Sequence, residues 1–237
     1  LYLKTDVVLL ADVFENFRDL AIKEYKIDPV SVYTAPGLSW NAMRLKWGKT
    51  IGLYEELDMY LMTQKGIRGG ISMIANRYSK ANNKYLDDYD PSKPSKYIQY
   101  EDANNLYGWA MIQKLPCGEF YWMDPADFNE DVIKSIPDDG PKGCFLNVDL
   151  EIPKDKEWQD TFKDYPLAPE TKEIKKDMLS QYQQDLYGKS CDKSKKLISD
   201  FVDKDGYLVH YRLLKFYLDM GIKIKKINNV ISFQQDY

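Results

Sequence analysis

The pattern of residues changes near position 65, and this change constrains the fold more than any other feature of the 237-residue chain. Before it, apolar residues from Val7 to Ala21 recur at three- and four-residue spacing, which predicts an amphipathic helix over residues 5–25. After it, apolar and β-branched runs that are typical of strands alternate with short helical stretches. The sequence therefore predicts an α+β fold, with helices at the front and a sheet with helices behind.

Capping residues, glycines and prolines set the expected bounds of the other elements. Residues 33–37 are predicted to form a loop. Further helices are predicted over residues 39–47, 54–63, 108–114, 125–135, 171–187 and 213–220. Strands are predicted over residues 71–74, 96–102, 120–123, 144–152 and 222–233. A hairpin is predicted over residues 196–211, because Asp203–Gly206 has the composition of a tight turn.

Composition excludes several classes of protein. The longest apolar run, Val7–Ala11, is far shorter than the roughly 18 residues of a membrane-spanning helix, and no secretory leader pattern is seen. Three widely spaced cysteines (Cys117, Cys144 and Cys191) are typical of reduced thiols, so we expect an intracellular protein without a cysteine-based zinc site. Because His210 is the only histidine, metal chemistry must depend mainly on carboxylates, which favours Mg²⁺.

A basic stretch without any acidic residue extends from Lys65 to Lys84. It includes the cluster Gly66–Gly70, and its other cations are Arg68, Arg77 and Lys80. Paired glycines allow a backbone to approach a phosphodiester closely, and the cations attract phosphates without sequence preference. The alternative is a solvated hairpin, but the absence of acids favours contact with nucleic acid.

Two carboxylates occur in patterns that suit metal-dependent chemistry. Tyr2 and Asp6 are four residues apart at the head of a helix, so both could reach a bound metal or its water. The alternative is an acidic residue that is stabilised by the helix dipole, with Tyr2 simply packing against its neighbours. Asp102 ends a predicted strand before the turn Ala103–Leu106, an arrangement that can hold Mg²⁺ beside a triphosphate. The alternative there is an ordinary turn rich in asparagine.

Asp149, Glu151 and His210 are interpreted as structural residues. Asn147 and Asp149 alternate with apolar residues, as they would in any half-buried strand. Two carboxylates on one strand face could bind a metal, but the alternation is explained without one. His210 lies at the end of a predicted strand, where a packed histidine is the simpler interpretation.

In their order and spacing, these motifs resemble family B DNA polymerases, most closely the protein-primed branch of viruses and self-synthesising mobile elements. Tyr2-x-x-x-Asp6 is similar to the third motif of the 3′–5′ exonuclease, and Gly69-Gly70 to the Tyr-x-Gly-Gly turn that joins exonuclease to polymerase. Asp102-Ala-Asn-Asn-Leu-Tyr107 resembles Asp-x-x-Ser-Leu-Tyr-Pro, the first polymerase motif. The stretches Tyr165–Glu170 and Val209–Phe233 also look like this branch, so the resemblance extends along most of the chain.

The resemblance implies a role for each matching residue. Asp6 would bind an exonuclease metal ion, and Tyr2 would orient the attacking water. Asp102 would bind both Mg²⁺ ions of the polymerase site, and Tyr107 would pack under the sugar of the incoming dNTP. The residues against the triphosphate would be Ala103, Asn104, Asn105, Leu106 and Tyr107. The residues that contact the template backbone would be Arg68, Gly69 and Gly70, and the basic stretch would add phosphate contacts from Arg77, Lys80 and Lys84.

Three positions depart from the family pattern. Ile67 replaces the tyrosine of the linker motif, Asn105 occurs where serine is common, and Gly108 occurs where proline is common. The last two changes alter the rigidity of the turn but leave Asp102 and Tyr107 in place.

The domain order of the family implies three segments. Residues 1–64 would be the end of the exonuclease, residues 65–95 a basic linker, and residues 96–237 the first part of a palm with antiparallel sheet and an inserted subdomain. The remaining exonuclease, palm and fingers motifs are not found here, so we expect a fragment of a longer polymerase that is inactive in isolation. Its partners would be template-primer DNA, dNTPs and a terminal protein primer, with no membrane. The alternative is a non-catalytic DNA-binding remnant.

Overall fold

The computed structural model describes residues 1–48, 50–187 and 194–237, so Cys191 lies outside the described residues. The chain forms two compact units, residues 1–51 and residues 52–237. The first is helical, and the second combines helices with antiparallel sheet, which confirms the predicted α+β class. None of the helices in the described ranges is both long enough and apolar enough to cross a bilayer.

The first unit contains helix α1 (Tyr2–Tyr25), a 3₁₀ turn (Pro29–Ser31) and helix α2 (Ala35–Trp47). Helix α1 confirms the predicted helix and begins slightly earlier. It is tied to the turn by Arg18, whose Nη2 donates to Asp28 Oδ2 at 2.6 Å. The Asp28 side chain also accepts a hydrogen bond from the backbone N–H of Val30, which caps the 3₁₀ turn.

Helix α2 begins earlier than predicted, so the expected loop over residues 33–37 is too long. The Thr34 hydroxyl accepts a hydrogen bond from Gly37 N at 3.2 Å and caps the first turn. Pro36 is tolerated there because the first turn has no intrahelical partner for its missing N–H. Gly48, at a φ of 65°, ends the helix as predicted.

The second unit is built from six helices and six strands within the described residues. The helices are α3 (Leu57–Lys65), α4 (Leu106–Met111), α5 (Glu130–Ser135), α6 (Lys156–Phe162), α7 (Gln181–Tyr187) and α8 (Tyr211–Asp219). The strands are β1 (Leu115–Met123), β2 (Lys142–Glu151), β3 (Glu170–Glu173), β4 (Lys195–Ile198), β5 (Lys204–His210) and β6 (Lys223–Asp236). One antiparallel sheet has the order β1-β6-β2-β5, while β3 and β4 form a separate antiparallel pair.

The predicted hairpin over residues 196–211 is wrong. Strand β4 pairs with β3, whereas β5 pairs with β2 in the larger sheet. Burial decides this pairing, because Tyr207 and Val209 of β5 belong to the main core while β4 is at most half-buried. The fully buried Lys204 of β5 forms ion pairs with Asp200 and with Glu170 of β3, which connects the two sheets.

Two predicted strands do not form, although all their residues are described. Residues 71–74 and 96–102 are irregular and exposed, and the only bridge nearby joins Asn82 to Lys96. An alternating pattern stabilises a strand only where one face is covered.

Two predicted helices form only in part. The predicted helix over residues 171–187 is confirmed only in α7, and the predicted helix over residues 125–135 is a 3₁₀ turn followed by α5.

The larger sheet is covered differently on its two faces. One face carries the main core, in which Leu146, Val148 and Leu150 of β2 pack with residues of α5 and α8. The opposite face carries a smaller cluster, in which Met59 and Met62 of α3 pack on β5 and β6. Helix α3 therefore belongs to the sheet unit and not to the helices that precede it.

Candidate nucleotide turn and nucleic-acid interface

The turn from Asp102 to Tyr107 is shaped by Asn105. This residue has a φ of 50°, in the left-handed region that asparagine tolerates better than most residues. Its Oδ1 accepts a hydrogen bond from Gly108 N at 3.2 Å, so Asn105 caps α4. Serine, the common residue of the family motif, could cap the helix but suits the left-handed backbone less well.

The departures at positions 105 and 108 depend on each other. A proline at position 108 would have no N–H to donate to the Asn105 cap. A Cβ atom at Gly108 would also overlap the Asn105 side chain. The Asn105–Gly108 pair therefore holds this turn by a different local interaction from the one that serine and proline would allow.

The other side chains predicted to bind nucleotide are accessible to solvent. Asp102, Ala103, Asn104 and Leu106 are exposed, and 85% of the Tyr107 surface is exposed. Asp102 precedes α4 on irregular backbone and not at the end of a strand, which corrects the local prediction made for it. The carboxylate and the phenol are thus accessible to a ligand, and neither of them lines the cavity between α3 and the sheet that is described below.

The residues present fit Mg²⁺ in donor type but not in number. Carboxylate oxygens such as those of Asp102 and Asp6 are the ligands that Mg²⁺ prefers. Across residues 1–48, 50–187 and 194–237, however, no group of three or more histidine, cysteine, aspartate or glutamate side chains is placed to hold a metal. The described residues by themselves do not form the two-metal site that the family resemblance implies.

Tyr2 and Asp6 both lie on α1, as predicted, and both are exposed. The helix begins at Tyr2, so Asp6 lies beyond the first turn, where the dipole of a helix acts most strongly on a carboxylate. This position weakens the alternative interpretation, in which the helix dipole stabilises the charge of Asp6. Tyr2, with 88% of its surface exposed, does not pack as the simpler interpretation requires.

Arg68 anchors the glycine segment, which comprises Gly66–Gly70, to strand β5. Its guanidinium lies 3.9 Å from the centroid of the Tyr207 ring, and Nη1 donates to the Leu208 carbonyl at 2.7 Å. Gly66, which precedes it, lies so close to Leu208 that a Cβ atom would overlap that side chain. Gly69 and Gly70 are exposed, with open space around their Cα atoms. These contacts give Arg68 a structural role, in addition to any contact with DNA.

The remaining predicted phosphate contacts come from exposed cations. Arg77, Lys80 and Lys84 are all exposed. Lys80 forms an ion pair with Asp88 at 2.6 Å, and the hydrogen bond with Asp88 raises the pKa of Lys80. The basic stretch contains no acidic residue, but Asp88, which follows it in the chain, neutralises the charge of Lys80.

The residues interpreted as structural have packing roles. Asp149 accepts hydrogen bonds from Gly206 N at 2.7 Å and from Asn228 Nδ2 at 2.8 Å, which hold the pKa of its carboxyl below the usual range. His210 caps α8 through Nδ1, which accepts from Arg212 N, and its ring stacks on Phe233. Burial lowers the pKa of His210 to about 4, so the ring is neutral near pH 7.

A polar cavity between α3 and the sheet was not predicted from the sequence. It has a volume of about 360 Å³ and is bordered by α3, β1, β2, β5 and β6. The only sequence signal for it was the polar side of β2, where Asn147 and Asp149 alternate with buried apolar residues. That signal does not show which helix would cover the face.

Comparison of the chain with protein-family models, curated proteins and solved structures gave no match. The resemblance to family B DNA polymerases therefore depends on the motifs quoted above.

Proposed function

We propose that the chain is part of a DNA-directed DNA polymerase of family B, of the protein-primed branch, and that it carries part of a proofreading 3′–5′ exonuclease. The observation that supports this most directly is the Asp102–Tyr107 turn. It combines an exposed carboxylate, a left-handed asparagine cap and an exposed tyrosine in the order of the first polymerase motif. The antiparallel sheet of residues 115–236 is compatible with the palm of such an enzyme.

The chain's own residues would bind and orient the reactants in an intracellular enzyme. Asp102 and Asp6 would each contribute one carboxylate to a Mg²⁺ site, polymerase and exonuclease respectively. Bound Mg²⁺ would stabilise the charge that develops on the phosphoryl group during transfer from dNTP to primer. Tyr107 would support the sugar of the dNTP, and the exposed Gly69–Gly70 segment with Arg77 would lie along the template backbone.

The experiment is a pair of substitutions in a polypeptide that also carries the remaining polymerase and exonuclease motifs. Asp102→Asn should abolish primer extension and leave 3′ degradation, whereas Asp6→Asn should do the reverse. Asparagine keeps the shape of the side chain but loses the charge that holds a metal ion. Both side chains are exposed, so loss of the fold would not explain the result.

Matched controls are available on the same surfaces. Asp12→Asn on α1 and Asp87→Asn after the basic stretch replace exposed carboxylates outside the motifs and should leave both activities unchanged. If Asp102→Asn and Asp6→Asn also left both activities intact, the polymerase assignment would be wrong. DNA binding without extension or degradation in the wild-type polypeptide would instead favour the alternative, a non-catalytic DNA-binding remnant.

A further inference from the structure

The cavity under α3 combines polar and aromatic side chains that the proposed polymerase chemistry does not use. Asp58 and Lys65 line its α3 side, and Trp122, Asn147 and Asn229 line its sheet side. A volume of about 360 Å³ is at the small end of the range for ligand pockets, which suits a single heterocycle.

Two amide side chains form the polar part of the sheet side. Asn147 of β2 and Asn229 of β6 are direct cross-strand partners, so their side chains are neighbours on one face. The Asn147 Oδ1 atom is buried and has no hydrogen-bond partner among the residues that the structure describes. A buried acceptor without a donor is costly, so a rotation of the Asn147 amide toward the cavity, where Oδ1 would accept from a ligand N–H group, would remove that cost.

The walls of the cavity are held in place before any ligand binds. Trp122 Nε1 donates to Glu56 Oε2 at 2.9 Å, which fixes the indole beside the residue that precedes α3. Met59 and Met62 are buried against Leu208 and Ile231, so α3 is packed firmly on the sheet. A preformed site loses less conformational entropy on binding than a flexible one.

The charges at the cavity match a nucleotide better than a neutral ligand. Lys65 is the last residue of α3 and is followed directly by the glycine segment, whose exposed Gly69 and Gly70 lie on the proposed path of the DNA backbone. Asp58 lies on the same helix two turns away and provides a carboxylate acceptor for base N–H groups. Asparagine amides pair with base edges, and indole rings stack on bases.

We propose that this cavity binds one nucleobase, with Asn147 and Asn229 reading its edge and Lys65 contacting its phosphate. The base would belong either to an unpaired nucleotide of a bound strand or to a free nucleotide. The strand form depends on the proposed function, because it requires that DNA follow the glycine segment. The free-nucleotide form does not.

The first arm of the test measures binding of fluorescently labelled single-stranded oligonucleotides to the 237-residue protein by anisotropy. The probes are homopolymers of each base and an abasic strand of the same length. Asn147→Ala and Asn229→Ala should each weaken binding of at least one homopolymer about tenfold. They should leave binding of the abasic strand and the salt dependence unchanged, because neither residue is charged.

The second arm measures free nucleoside monophosphates by saturation-transfer NMR. Wild-type protein should show contact with base protons, and Asn147→Ala should remove it. Asn229 is exposed, so Asn229→Ala tests the proposal even if Asn147→Ala unfolds the protein. Gln181→Ala, which removes an exposed amide on α7, is the matched control and should behave as wild type.

The outcomes separate this proposal from the proposed function. Equal loss of affinity for abasic and normal strands, or no effect of either asparagine variant, would overturn the cavity assignment while DNA binding itself stands. Failure of every strand to bind, together with base contacts in free nucleotides that Asn147→Ala removes, would support the cavity and count against the DNA path. Absence of binding in both arms would overturn the cavity proposal.

Discussion

At the scale of single residues, burial decides what the titratable groups of this protein do. His210 is mostly buried between Phe233 and Tyr211 and is therefore held neutral. Burial likewise raises the pKa of Cys144 to about 12, so this thiol is unreactive at neutral pH. Asp149 has the opposite environment, because two hydrogen-bond donors stabilise its charged form. The same residue types would behave differently on an open surface.

The neutral state of His210 predicts a pH dependence of stability. Its pKa is about 4 in the folded protein and about 6.5 in the unfolded chain, so the unfolded state binds more protons between these values. The contribution of neutral His210 to the free energy of unfolding is complete above pH 6.5, and it is lost as the pH falls from 6.5 to 4. The free energy of unfolding should decrease by up to about 3 kcal/mol over this interval, measured by urea denaturation at several pH values.

A variant separates His210 from the acidic residues. His210→Asn keeps a side-chain acceptor that can cap α8 but cannot titrate, so the loss between pH 6.5 and 4 should largely disappear. Asp149 and Asp203 have lowered pKa values in the folded protein, so their contributions to stability are lost only at a pH below the range in which His210 acts. An unchanged pH profile in the variant would show that another group causes the dependence.

Tyr107 provides a second prediction at this scale, and it depends on the proposed function. If the exposed ring forms the surface under the sugar, a ribose 2′-hydroxyl would clash with it. In the polymerase that carries all motifs, Tyr107→Val should increase insertion of ribonucleotides relative to deoxyribonucleotides by about tenfold or more. The measurement is the ratio of kcat/KM values for the two substrates. A variant that still extends primers with unchanged selectivity would contradict this role.

At the scale of elements, the basic stretch contains cations of two kinds. Arg68 is held against the Tyr207 ring and the Leu208 carbonyl, whereas Arg77 and Lys84 are exposed. A side chain already bound within the protein has less freedom to contact phosphate. We therefore expect Arg68 to position the glycine segment and the exposed cations to supply electrostatic attraction.

Salt dependence of DNA binding distinguishes these two kinds. Replacing Arg77 and Lys84 with alanine should reduce the slope of log K against log salt by roughly one for each phosphate that is no longer neutralised. Arg68→Ala should leave the slope unchanged but increase amide exchange at Gly69 and Gly70, because the anchor to β5 is removed. DNA affinity is measured by anisotropy from low to physiological salt.

Either of two results would contradict the assignment of Arg68 as an anchor and of the exposed cations as phosphate contacts. A slope reduced by Arg68→Ala, with unchanged exchange at the glycines, would mean that Arg68 contacts phosphate directly. A slope unaffected by the Arg77 and Lys84 substitutions would mean that these side chains remain in solvent. Lys114→Ala provides a control, because Lys114 lies outside the basic stretch and donates to the Asp139 carbonyl.

At the scale of the whole molecule, the distribution of carboxylates limits what the 237 residues can do. Two-metal phosphoryl transfer requires several oxygen ligands around each pair of ions. The motifs supply Asp102 to one proposed site and Asp6 to the other, and the described residues contain no assembled ligand group. We therefore expect the 237-residue chain to neither extend nor degrade a primer, even where it binds DNA.

The assay compares extension and 3′ degradation of a labelled primer–template by the chain with a complete family B polymerase as positive control. Activity that survives purification and requires Mg²⁺ would show that further ligands lie within the chain. Asp149 and Glu151 would then be the first residues to replace, although Asp149 is already hydrogen-bonded to Gly206 and Asn228.

The sequence by itself determined those features that depend on neighbouring residues. The spacing of Val7 to Ala21 predicts α1, Gly48 marks the end of α2, and the apolar pattern of residues 144–152 and 222–233 predicts β2 and β6. The motif residues of the candidate site were likewise predicted from local patterns and from the family resemblance, because a turn such as Asp102–Tyr107 is contiguous in the chain.

The tertiary structure alone decided which elements pair and which faces are covered. Asp203–Gly206 has the composition of a hairpin turn, but β5 pairs with β2 because its apolar residues are buried in the main core. Residues 71–74 have strand composition, but they belong to neither of the two hydrophobic clusters of the sheet unit and no strand forms. The anchor of Arg68 on Tyr207 and the cavity at Asn147 bring together residues far apart in the chain. Local propensity does not contain that information, because burial depends on the packing of the whole unit.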